Sequence, residues 1–128
     1  MRLLLDTHAF LWWMANDKRL SGPAREAIGD AGNEILVSAA SAWEIGIKVG
    51  LGRLDLPEPP ATYVPDRIAR SGFVALPISV VHAVRVAGLP QYHRDPFDRL
   101  LVAQAEIEGA RLVSRDPLMV PYGVALLW

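Results

Sequence analysis

Leu3-Leu4-Leu5-Asp6 decides how the rest of this chain is read. Three consecutive aliphatic residues form a strand apolar enough to be buried on both faces, as a parallel strand covered by helices must be. A carboxylate follows at once, and helical character begins at His8. Four further short apolar runs, at 35–37, 73–76, 112–114 and 124–127, read as strands of the same kind. Segments of helical periodicity lie between them, at 8–16, 23–29, 41–49, 61–70, 80–86 and 96–108. This alternation predicts strand-helix units around a central, mainly parallel sheet in a three-layer α/β/α architecture.

The punctuation agrees with that division. Pro23 suits a first helical turn, and Gly50 with Gly52 supplies a stop after 41–49. Phe97, Leu100, Leu101 and Ala105 follow i, i+3, i+4, i+8 spacing, and Gly109 closes that helix. The 128 residues fit one domain, 1–128, with no repeat and no low-complexity tract.

Composition narrows the chemistry. With 52% hydrophobic and 21% charged residues the chain reads as globular rather than disordered. It has no cysteine, so disulfides, thiolate metal sites and cysteine nucleophiles are excluded, and any metal must use oxygen or imidazole ligands. Asp6 interrupts the first apolar run too early for a secretory signal, and no run approaches the roughly 20 residues that span a bilayer. A cytoplasmic protein without membrane association is the expectation. The net charge of −1 lacks the basic excess that often marks nucleic-acid binding, although a bound divalent cation would invert the local sign.

Asp6 and Asp116 follow strands, and parallel strands all exit on one edge, where doubly wound sheets bind ligands. Glu44 and Asp98 fall near the starts of helices expected on the same edge. Each acid also has an ordinary explanation. Asp6 can cap a helix, Asp95-Pro96-Phe97-Asp98 reads as N-cap, first-turn proline and favourable acid, Ser41-Ala42-Trp43-Glu44 fits a capping box, and Asp116-Pro117 opens a turn. A cap makes no demand on where other caps lie. Several carboxylates on one edge repel one another and are easiest to understand around a divalent cation. Asp95 has the better claim to the N-cap, so Asp98 takes the metal position and Asp95 supports it.

Four fragments, Leu4-Leu5-Asp6-Thr7-His8, Ser41-Ala42-Trp43-Glu44-Ile45, His93-Arg94-Asp95-Pro96-Phe97-Asp98-Arg99-Leu100-Leu101 and Ser114-Arg115-Asp116, together resemble a PIN-domain nuclease, more narrowly the VapC-type toxins of bacterial toxin-antitoxin pairs. The resemblance implies a PIN-like fold, an acidic pocket of Asp6, Glu44, Asp98 and Asp116 holding Mg²⁺ or Mn²⁺, and endonucleolytic cleavage of RNA. It also implies a homodimer and a cognate antitoxin. Thr7 matches the hydroxyl residue after the family's first acid and would orient that carboxylate or a water.

Arg94, Arg99 and Arg115 adjoin the acids and either contact substrate phosphates or pair with neighbouring carboxylates. Lys48, four residues after Glu44, reads as its helical ion-pair partner. The three histidines, at 8, 82 and 93, do not form a metal-binding spacing. Phe10 to Met14 are apolar almost all round one helix, which suits core packing on one side and a dimer or antitoxin surface on the other. A phosphoaspartyl phosphatase would need a second acid where His8 stands, and a receiver domain an aspartate after its central strand, where Pro77 stands. The remaining alternative is a non-catalytic α/β interaction module whose acids only cap helices.

Overall fold

The computed structural model describes residues 1–128. Its elements run β1 (Arg2–Leu5), α1 (Thr7–Met14), α2 (Gly22–Gly29), β2 (Glu34–Ser38), α3 (Ala39–Gly50), α4 (Pro60–Arg70), β3 (Val74–Leu76), α5 (Val80–Ala87), α6 (Pro96–Glu108), β4 (Arg111–Val113), a 3₁₀ turn (Pro117–Tyr122) and β5 (Leu126–Leu127). The five strands form one sheet in the order β3-β2-β1-β4-β5, and every neighbouring pair is parallel.

Strand alternation divides the core between the two faces. Leu3, Leu5, Ile35 and Val37 pack with Phe10, Ile28, Ile45 and Val64 from the first four helices. Leu4 and Leu36 point the other way, onto Leu101, Val102 and Ala105 of α6. Helices therefore cover both faces, as continuous apolar strands require. At the carboxyl edge, the central β1 delivers Asp6 beside the neighbouring β4, because Leu5 is in register with Val113 and the Asp6 amide donates to the Val113 carbonyl. No helix is long and apolar enough to cross a membrane.

The helix expected at 8–16 ends at Met14, and a second boundary that differs from the sequence expectation bears on the site. Helix α3 starts at Ala39, because Ser38 rather than Ser41 caps it, its hydroxyl accepting from the Ala40 amide at 2.9 Å. Two alanines then extend the helix at no side-chain entropy cost. Ser41 is thus a buried interior residue, and Glu44 lies in the second turn rather than closing a capping box. Trp43 and Ile47 are exposed. Gly109, with φ of 62°, ends α6 in the left-handed conformation its position suggests.

Candidate functional site

Asp6 leaves β1 in an extended conformation, and its Oδ1 accepts the Ala9 amide at 2.7 Å. It therefore caps α1, and its buried carboxyl still faces the acids from α6 and the β4 exit. Burial raises its pKa, opposed by the Ser114 side chain, the Ala9 amide and His8, while Glu44 pushes it further up. Asp116 caps the 3₁₀ turn through Oδ1, which accepts from the Leu118 amide at 2.9 Å. Asp98 makes no cap. Its carboxyl is pushed up to about 7, first by desolvation and then by the charge of Asp95, with Glu44 and Asp6 adding to the rise and His93 opposing it.

Asp6, Asp98 and Asp116 line one cavity of about 400 Å³ together with His8, Trp12, Arg19 and Arg115. Glu44 does not line it. Its Oε1 accepts from the Thr7 hydroxyl at 2.6 Å and its Oε2 pairs with Lys48 Nζ at 2.8 Å. Thr7, whose hydroxyl also lies 3.0 Å from Ser41 Oγ, therefore orients Glu44 rather than Asp6. The cause is direction: Thr7 opens α1 with its side chain turned towards α3. Asp95 is the N-cap of α6, accepting from the Phe97 and Asp98 amides at 2.8 and 3.2 Å.

A residue that spacing did not reveal holds the acids together. His93 Nε2 lies 2.8 Å from Asp116 Oδ2 and 3.2 Å from Asp98 Oδ2. Its Nδ1 accepts the Asp95 amide at 3.1 Å, which places the neutral ring's proton on Nε2. The three side chains bring potential ligand atoms within 4.8 Å of one another, but in this tautomer His93 donates to both carboxylates and is not itself a ligand. The available signal is the fragment His93-Arg94-Asp95, where a histidine two residues before an N-cap can fold back onto the cap's own amide.

The three arginines part company. Arg94 is exposed and outside the cavity lining. Arg115 is exposed at the cavity rim. Arg99 is buried, so the expectation that it meets substrate phosphates is corrected: Nη1 donates to the Pro90 carbonyl at 2.9 Å and Nη2 to that of Val86 at 3.0 Å. It fastens the end of α5 and the segment carrying His93 to α6. Arg99→Met is expected to lower stability by about 1–3 kcal/mol, since the buried side chain loses its charge-assisted hydrogen bonds to those carbonyls, which keep the Tyr122 hydroxyl and the Leu89 amide as donors. Urea unfolding checks this, and a loss below about 0.5 kcal/mol would refute it.

The donor set fits a hard divalent cation. It is all oxygen and partly buried, and burial followed by the charge of its acidic neighbours pushes the Asp98 carboxyl up to about 7, a penalty that a bound cation would relieve. Capping explains Asp6, Asp95 and Asp116 and does not explain Asp98.

The sequence profile of the PIN domain matches residues 3–119. Ribonuclease VapC22 of Mycobacterium tuberculosis (strain ATCC 25618 / H37Rv) is 35% identical over 114 residues, covering 89% of this chain and 86% of that protein. Ribonuclease VapC16 of the same organism is 56% identical over 59 residues, a match spanning 46% of this chain and 40% of that protein. Among solved structures, VapBC2 from Rickettsia felis, bound to a DNA fragment from its promoter, superposes with a TM-score of 0.70 at 14% identity, covering 98% of this chain and 97% of that one.

Proposed function

Because this chain belongs to the PIN-domain family, we propose that it is a metal-dependent endoribonuclease and the toxin of a toxin-antitoxin pair. The carrying observation is the convergence of Asp6, Asp98 and Asp116 on one cavity, with the Asp98 carboxyl pushed to about 7 by burial and its acidic neighbours. A relative named as a ribonuclease, 35% identical over most of both chains, supports the reaction class.

Asp6, Asp98 and Asp116 are the residues that would hold the cation, Mg²⁺ or Mn²⁺, while Glu44, outside the cavity lining, acts on Asp6 and Asp98 through its charge. When bound, it would supply Lewis acidity, making a water more acidic and countering charge on the scissile phosphate. The chain's own groups prepare the site. The Asp6 cap fixes one carboxylate to the start of α1, Thr7 and Lys48 fix Glu44, and His93 holds Asp98 and Asp116 through one N–H. In the hydrolysis, the water oxygen bonds to phosphorus and the 3′ oxygen leaves with a proton, giving 5′-phosphate and 3′-hydroxyl ends. Arg94 and Arg115 are the candidates for flanking phosphates.

Two partners belong to the same proposal. A second copy suits the exposed apolar side chains of Val80, Val81 and Val84 on α5 and Trp43 on α3, whose burial would be favourable. A cognate antitoxin suits a relative of VapC proteins, which the VapBC complexes pair with a second protein. The expected result with purified protein and a mixed-sequence RNA is cleavage dependent on Mg²⁺ or Mn²⁺, abolished by EDTA, with 5′-phosphate ends. Cleavage unchanged by EDTA, or ends carrying a 2′,3′-cyclic phosphate, would overturn the mechanism.

A further inference from the structure

Arg115 borders a cavity lined by three carboxylates, yet it forms no ion pair with any of them. Its guanidinium carbon instead lies over the Trp12 ring, 4.5 Å from the centroid. Arg19 lies over the same side chain at 4.9 Å. Nε and Nη2 of Arg19 donate to Asp17 at 3.1 and 2.7 Å, which orients the fork and leaves Nη1 without a partner. His8 stacks on the indole at 5.3 Å and Trp128 meets it edge-on at 5.9 Å. The indole is only 7% exposed, so it has no open face on which a base could stack. It is a mount for two cations.

Those cations stand where a polyanion needs them. The net charge of −1 gives the molecule no general attraction for RNA, and the acids repel an approaching strand. Trp12, Arg19 and His8 also line a second cavity of about 580 Å³, whose wall includes Arg53. The cluster is thus the partition between the acidic cavity and a groove beside it.

On the ribonuclease reading, we infer that Trp12 mounts Arg19 and Arg115 as a two-guanidinium subsite for the RNA phosphate adjoining the scissile one, with the strand continuing into the groove at Arg53. The Arg115 guanidinium offers a fork that matches phosphate oxygens in shape as well as charge, and Arg19, held by Asp17, adds its free Nη1. Holding both side chains on an indole before substrate arrives removes much of the ordering cost of binding. Trp12 is then a positioning residue, acting through the two arginines.

The test is steady-state RNA cleavage with Mn²⁺ across a salt series. Arg115→Gln and Arg19→Gln should each raise KM about 10-fold with kcat within about 2-fold, and lower the slope of log(kcat/KM) against log salt by about 0.7, the value for one phosphate contact on a single strand. Trp12→Leu should raise KM without changing that slope, because both charges remain, and Trp12→Phe should restore part of the loss because it keeps an aromatic face. Both arginines are exposed, so their variants remain informative if Trp12→Leu fails to fold. Unchanged KM and salt slope in Arg115→Gln, in an enzyme that cleaves RNA, overturns the subsite and leaves the ribonuclease reading standing. An Arg115→Gln effect confined to binding of an acidic antitoxin peptide overturns it in favour of a protein partner. Wild-type protein that cleaves no RNA removes both.

Discussion

Asp6→Asn is expected to lower RNA cleavage by at least about 100-fold while leaving the fold intact. Residues that merely orient a metal's ligands cost 10- to 100-fold when changed, so a carboxylate expected to bind the cation sets the upper end as a floor. The fold should survive because Asp6 also caps α1 through the Ala9 amide, and asparagine caps as well as aspartate. The substitution therefore removes charge and keeps the cap. Asp95→Asn is the matched control: it too keeps a cap, on the Phe97 and Asp98 amides, and should cost less than about 10-fold. Cleavage rates with circular dichroism for both variants check the pair. Equal losses would mean that Asp95, not capping alone, belongs to the metal site.

The second large effect runs the other way. Asp98→Asn should stabilise the metal-free protein by about 1–3 kcal/mol at pH 8, a range reduced from the full shift because water reaches part of the carboxyl. The folded Asp98 carboxyl is pushed to about 7, against 3.8 for an unperturbed aspartate. Above pH 7 folding must hold an ionised carboxylate where burial and Asp95, Glu44 and Asp6 disfavour it. As pH falls from 7 towards 4 the folded state takes up a proton that the unfolded chain does not, so wild-type stability rises through that window. The advantage of Asp98→Asn should shrink accordingly and be small near pH 5. Saturating Mn²⁺ should reverse the ranking at pH 8: wild type gains about 2.7 kcal/mol at 100 times Kd, and the variant much less. Thermal melts across pH, with and without Mn²⁺, read both results. A variant no more stable than wild type at pH 8 without metal would refute the penalty that burial and the neighbouring acids impose on this carboxylate.

What could be read from the sequence was whatever a local pattern encodes. Leu3-Leu4-Leu5 ending on Asp6 needs no partner to announce a buried parallel strand, and the Asp95-Pro96 start and Gly109 stop of α6 are equally self-contained. The meeting of Asp6 with Asp116 followed from strand topology. Contacts fixed by how segments pack were not legible. Arg99 and Arg115 differ only in that α6 turns one into a cage of carbonyls while the β4 exit leaves the other at a rim. His93 required the turn at 93–95 to fold its Nδ1 onto the Asp95 amide, and no metal-binding spacing records that. Ser41 fitted a capping box in the sequence, and only the end of β2 at Ser38 moves the cap to Ser38.

Strand β1 is made first and stands at the centre of the sheet, and its partner β4 lies more than a hundred residues later, Leu3 opposite Arg111. At about 5–20 residues per second, a ribosome finishes Asp116 roughly 5–20 s after Asp6. Throughout that interval the first acid exists without the acids opposite it. On the ribonuclease reading, the acidic cavity cannot be completed until β4 slots in beside β1 and brings Asp116 opposite Asp6. Topology alone thus postpones assembly of the site until both strands have been made.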